Sequence, residues 1–152
     1  MRLKTHLSAA VLAGIMLCAC AAGQVSERAE QELFSAVNRA RRMQGLPALR
    51  WDESLAVSAR RHAALMAAHG SAQHAFAGEP GLSARAKQTG ARFTYLSENV
   101  TQGPTAEFIH GQFMDSPNHR ANILDRDMDS IGVGVIERAG QLFAVEDFSQ
   151  AR

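Results

Sequence analysis

The segment Ile131-Gly132-Val133-Gly134-Val135 constrains the fold more than any other part of the chain. Three β-branched residues alternate with two glycines, a period of two that reads as a strand with one apolar face and one face without side chains. A bare face lets another element approach the backbone closely, and a packed helix is the expected occupant ahead of a ligand. Ala139-Gly140 offers a turn into Leu142 to Phe148, so Ser130 to Phe148 is predicted to form a β-hairpin.

Upstream of the hairpin the periodicity changes to that of helices. Leu33, Val37 and Ala40 recur at helical spacing within Glu27 to Gln44, with Glu27, Glu30 and Glu32 at the front and Arg41 and Arg42 at the back, where charges complement the macrodipole. Gly45 and Pro47 stop that helix. Asp52 is the predicted N-cap of a second helix ending at about His69 and Gly70, with Leu55, Ala59, His62, Ala63 and Met66 on one stripe. Trp51 is read as packing against these two helices, and His62 as a core imidazole bonded to one acceptor. Ser71 to Gly81 reads as an irregular loop, Leu82 to Gln88 as a short helix closed by Gly90, and Phe93 to Val100 as a strand. Pro104 is placed in the first turn of a further helix reaching Asp115, which Ser116-Pro117 breaks. Helices first and a terminal hairpin last imply an α+β arrangement, an antiparallel sheet with helices packed on it.

Residues 1–23 read differently. Arg2 and Lys4 precede the apolar run Leu7 to Cys20, and small residues follow to Gly23, the pattern of an export signal. The run is too short for a bilayer-spanning helix, which needs roughly 18 to 20 residues. Leu17-Cys18-Ala19-Cys20 resembles a lipobox, in which Cys20 would carry the lipid; cleavage after Ala22 with release of a soluble protein is the alternative. Both cysteines fall in this leader, so residues 24–152, read as a single domain, have no thiol for a disulfide and must be held by packing.

Composition narrows the function. The exported part carries 14 basic against 15 acidic groups, and aromatics make up only 6% of the chain, which disfavours nucleic-acid binding. There is no G-x-S-x-G elbow, no Walker loop and no paired C-x-x-C, and His62 and His69 lack the one-turn spacing of H-E-x-x-H. Asn99-Val100-Thr101 fits a glycosylation sequon, but Asn99 is read as a turn residue. What remains is a set of titratable residues at loops and element ends: His74, Glu98 and His119. Brought together, two imidazoles and a carboxylate suit either a divalent ion with an open position or an acid/base pair with an orienting group; kept apart, each only satisfies nearby backbone.

Several segments together resemble the bacterial SCP-like (CAP) domain, of the superfamily of cysteine-rich secretory proteins, antigen 5 and pathogenesis-related 1. They are Gly45 to Asp52, Leu55-Ala56, Ala59-Arg60, His62, Met66, Gln73-His74, Ser97 to Val100, Ser116 to Leu124 and Ile131 to Val135. The resemblance covers about residues 28–149 and implies a three-layer α-β-α sandwich with a central antiparallel sheet and a solvent-open cleft. It assigns His74, Glu98 and His119 to that cleft, with His74 and His119 as zinc ligands. A second glutamate of the family set has no clear counterpart. Glu107 and Asp115 are local acids, and Glu146, where bacterial relatives often carry Gln, is the candidate for the missing carboxylate. Arg120 is expected to bond loop carbonyls or Asp125, and Asn122 to stabilise its turn.

Three functions fit these residues. The first is an exported, periplasmic or envelope-anchored binding module without enzymatic activity, taking a divalent metal such as zinc, a lipid or a small ligand. The second is a hydrolase in which His and Glu activate water or a hydroxyl such as Ser97 or Ser116. The third is an interaction module for an envelope protein, with an inert cleft. Membrane association is expected only through lipid on Cys20.

Overall fold

The computed structural model describes residues 23–151; the leader, including Cys18 and Cys20, lies outside them. The elements in order are β1 (Gln24–Val25), α1 (Glu27–Met43), β2 (Arg50–Trp51), α2 (Glu53–His69), α3 (Leu82–Gln88), β3 (Phe93–Gly103), α4 (Ala106–Asp115), α5 (Pro117–Ile123), β4 (Ser130–Arg138) and β5 (Gln141–Ala151).

The predicted hairpin is the centre of the sheet. β4 and β5 pair antiparallel through the turn at Ala139-Gly140, where Ala139 has φ 51° and Gly140 φ 74°. β3 pairs antiparallel with the other side of β5, giving the order β1-β4-β5-β3. Two short strands absent from the sequence reading complete the edge of β4: β1 antiparallel at Ile136–Glu137, and β2 parallel at Ser130–Ile131. Segments of two residues carry too little periodicity to be read.

Helices cover both faces. Ile131, Val133 and Val135 face α1, α4 and α5, packing with Leu33, Val37, Ile109, Phe113 and Ile123. The opposite face of β4, left bare by Gly132 and Gly134, is occupied by α2 as the alternation predicts. A Cβ on Gly132 would overlap the backbone of Leu55 and Ala56, and one on Gly134 the backbone of Ala59 and Arg60. The contact is therefore backbone against backbone, extended by Ala59, Ala63 and Met66 packing on Val100, Phe143 and Val145. The α+β sandwich follows: helices, antiparallel sheet, helices.

The local signals read from the sequence operate as expected in α2. Asp52 accepts from the backbone N–H of Leu55 at 3.1 Å, and Gly70 closes the helix in the left-handed region, φ 67°. Trp51 meets Phe34 of α1 edge to face at 5.4 Å and donates to Glu53 of α2 at 2.8 Å. Three expectations need correction. Pro104 lies before the helix rather than in it, because Thr105 is the N-cap and accepts from Phe108 N–H at 3.1 Å. β3 continues past Val100 to Gly103. Pro117 ends α4 but also opens α5, since proline is accommodated in a first helical turn.

Two charged residues of α1 act through specific bonds rather than as dipole partners. Glu30 is buried, takes both Nε and Nη2 of Arg60 at 2.9 and 2.7 Å, and accepts from Val135 N–H at 3.2 Å, joining α1, α2 and β4. Arg41, also buried, donates to the carbonyls of Pro47, Ile123, Asp125 and Met128. It thereby clamps the C-terminal end of α5 onto α1.

Gly134→Ala should lower the Tm steeply, by about 3 kcal/mol or more of stability, since neither backbone can retreat. Gly111→Ala, in α4 with open space around its Cβ, should instead stabilise by up to about 1 kcal/mol. Thermal unfolding of the two variants checks the pair. Arg41→Met, which leaves four carbonyls short of a donor, should cost about 3 kcal/mol in denaturant titration.

Candidate functional site

The loop from Ser71 to Gly81 carries His74, and its course is set by residues on either side of it. His62 of α2, fully buried, places Nε2 2.8 Å from the carbonyl of Gln73 and Nδ1 2.6 Å from Glu79 Oε1. Glu79 Oε2 in turn accepts from Phe76 N–H at 3.1 Å. His62 is therefore a core imidazole with two partners rather than the one expected, and both partners belong to this loop. Arg85 of α3 completes the attachment, donating from Nη1 to the carbonyls of His74 and Pro80, each at 3.3 Å.

These bonds deliver His74 to Glu98. The His74 Nδ1 lies 2.9 Å from Glu98 Oε1, while Arg85 Nη2 donates to Glu98 Oε2. Glu98 and Arg85 are buried, whereas the His74 side chain is 60% exposed. With the carboxylate as acceptor, Nδ1 carries the proton and Nε2 is the nitrogen left for an external partner. The hydrogen bond to Glu98 raises the His74 pKa above the usual imidazole value, against opposing contributions from desolvation and from Arg85.

His119 approaches from the other helical layer. It sits in the first turn of α5, after the break at Pro117, and packs edge to face on Phe113 at 5.2 Å. Its pKa is lowered first by desolvation and then by the charge of His74. Asn99 and Asn122 hold α5 against the sheet. Asn99, buried in β3 rather than in a turn, donates to the His119 carbonyl at 3.2 Å. Asn122 donates to Asn99 Oδ1 at 2.8 Å and to the Glu98 carbonyl at 3.4 Å, so it ties helix to strand instead of stabilising its own turn. Arg120 bonds a carbonyl, that of Met114, at 3.0 Å.

The expectation that Glu146 supplies a cleft carboxylate is corrected by the sheet register. Glu146 pairs with Asn99, and Asp147 with Glu98. Neighbouring residues on a strand point to opposite faces, so Glu146 points with Asn99 and Val133 into the layer of α1, α4 and α5, away from His74 and Glu98. It is fully buried, with Oε2 accepting from Asn99 at 3.1 Å and Oε1 unpartnered. Burial pushes its pKa up to about 8, partly offset by the Asn99 bond.

The structure thus joins His74 to Glu98 directly, ties the helix that carries His119 to the Glu98–Asn99 segment of β3, and sets Glu146 apart. Arg85, Glu79 and Asp147 were missed. Nothing distinguishes Arg85 from Lys87 in a helix of seven residues, but two adjacent acids inside the apolar run Phe143 to Phe148 are a signal, because one of them must point into the core on each face. Ser97 and Ser116, the hydroxyls considered as nucleophiles, have no hydrogen bond to His74 or His119 among the described residues. Nor do those residues contain a group of three His, Cys, Asp or Glu side chains arranged to hold a metal.

Comparison with known proteins agrees with this architecture. The sequence model of the cysteine-rich secretory protein (CAP) family matches residues 34–148. The uncharacterized protein YkwD of Bacillus subtilis (strain 168) is 31% identical over 109 residues, covering 71% of this chain and 42% of that protein; the chain therefore spans less than half the length of that relative. Among solved structures, an outer surface protein of Borrelia burgdorferi superposes with a TM-score of 0.77 at 19% identity, over 86% of this chain and 99% of the other. An extracellular protein containing an SCP domain from Bacillus anthracis str. Ames superposes with a TM-score of 0.73 at 24% identity, over 82% of this chain and 41% of the other.

For Glu146 the raised pKa has a definite sign. Between about pH 4.5 and 8 the unfolded state releases this proton and the folded state keeps it, so this residue's contribution to stability falls as pH rises through that window. Glu146→Gln, which keeps the shape and removes the titration, should stabilise the protein by about 2 kcal/mol or more at pH 8 and by almost nothing at pH 4. Denaturant midpoints of both proteins across this range are the check.

Proposed function

The chain belongs to the cysteine-rich secretory protein (CAP) family, and on that footing we propose that it is an exported cell-envelope binding module whose cleft takes a divalent cation, zinc by its donor chemistry, between His74 and His119. The observation that carries this reading is the His74–Glu98 hydrogen bond at 2.9 Å. A carboxylate on Nδ1 fixes the ring and its tautomer and leaves Nε2 as a ligand, the outer-shell arrangement common to metal-binding histidines.

The donor set also defines what kind of site this is. Both oxygens of Glu98 are engaged, one by His74 and one by Arg85, so Glu98 orients and does not ligate. Two imidazoles are fewer protein ligands than the three of catalytic zinc sites. An ion held this way keeps positions for water or for donor atoms of a small ligand, and it exchanges readily. Export is supported by the leader, and by the outer surface and extracellular proteins that share the fold. Lipid on Cys20 would hold the domain at a membrane surface, whereas cleavage after Ala22 would release it. Acyl labelling of wild type but not of Cys20→Ala is the expected result, and equal labelling of both contradicts anchoring.

Calorimetric titration with zinc should give binding to wild type and none to the His74→Ala/His119→Ala double variant; identical isotherms overturn the metal reading. Because ligation requires neutral imidazoles and the bond to Glu98 raises the His74 pKa, the affinity should weaken by about tenfold for each pH unit below that pKa. Hydrolytic turnover by wild type that disappears in a folded Glu98→Gln variant would replace the binding module with an enzyme.

A further inference from the structure

Asp147 has no part in the site as described, yet it lies directly behind it. The register places it across from Glu98 on one side and Gly132 on the other, on the face covered by α2. It is fully buried, and neither carboxylate oxygen has a hydrogen bond of normal geometry. The groups that face it are few. α2 contributes the Ser58 hydroxyl, itself buried and unpartnered, α3 contributes the Arg85 guanidinium, β3 contributes Glu98, and Gly132 of β4 contributes no side chain.

Arg85 cannot neutralise both acids. Its Nη2 is given to Glu98 and its Nη1 to the carbonyls of His74 and Pro80, while its Nε makes no hydrogen bond to either oxygen of Asp147. Two ionised carboxylates side by side in a site stripped of water repel strongly, and one proton shared between them removes the repulsion. Glu98 already has two donors, whereas Asp147 faces only the neutral Ser58 hydroxyl, so the proton belongs on Asp147. Its electrostatics agree: desolvation first, then the charge and hydrogen bond of Glu98, raise its pKa well above the usual carboxylate range, outweighing Arg85 and Ser58.

We propose that Asp147 is the second carboxyl group of the cleft, a positioning residue that stays protonated and donates its hydroxyl hydrogen to Glu98. Glu98 is then held by three donors, His74 Nδ1, Arg85 Nη2 and Asp147, and keeps one orientation whatever His74 engages through Nε2. The role concerns the same cleft as the proposed function, but it requires no metal, so its test succeeds or fails separately from zinc binding.

Infrared difference spectroscopy of the metal-free, full exported domain at neutral pH supplies that test. Wild type minus Asp147→Asn should contain the carbonyl stretch of one protonated carboxylic acid, lost in the variant; Glu146 contributes equally to both proteins and cancels. In Glu98→Gln the Asp147 band should persist but shift, because its acceptor has become a neutral amide. Asp147→Asn, which keeps a donor, should retain the wild-type Tm, and Asp147→Leu, which keeps none, should lower it. No acid band in the difference spectrum overturns the proposal, and a band unmoved by Glu98→Gln overturns donation to Glu98.

Discussion

The backbone contact between α2 and β4 at Gly132 and Gly134 is the constraint on which the remaining structure depends. With no side chains between them, helix and strand lie close enough for α2 to cover Gly132 and Asp147, and the row across the sheet continues to Glu98, which His74 and Arg85 of α3 cover. Sealing removes water from two acids, and an uncompensated buried charge is costly. Arg85 and the His74 ring compensate at Glu98. The same helix sends His62 into the following loop, so the element that packs on the glycines of β4 also determines where His74 arrives.

The second helical layer reaches the site by a different route. β3 is an edge strand, and its alternation presents Glu98 to the α2 side and Asn99 to the α5 side. Asn99 links Glu146, Asn122 and the His119 carbonyl, while Arg41 secures the far end of α5. His74 and His119 therefore come from opposite layers: the His74 ring is held by buried Glu98, and the backbone at His119 by buried Asn99 while its ring packs on Phe113. The orientation of the His74 ring is thus set in folding.

Much of this was legible in the sequence, and the divisions have physical reasons. The glycine alternation announced the α2 contact, and Asp52 and Gly70 bounded α2, because close approach and capping each demand particular residues at particular places. His74, Glu98 and His119 were reached by their chemistry and by the resemblance of their flanking segments. Partners contributed by distant segments were not legible. Asn99, Asn122 and Arg85 look like ordinary polar residues until the sheet register and α3 place them, and Glu30 and Arg41 look like helix-end charges until their buried partners are seen. The exchange of Glu146 for Asp147 beside Glu98 is a single step of strand phase, which a pattern of period two cannot settle without knowing the partner strand.

The proposed site needs His74, oriented from behind by Glu98, to share an ion with His119. Diffraction from zinc-soaked crystals, recorded above and below the zinc absorption edge, examines that arrangement most directly. One anomalous peak between the rings of His74 and His119, with Glu98 still bonded to His74 and Arg85, is the expected result. A peak on the Glu98 carboxylate, or none between the two rings, would contradict it.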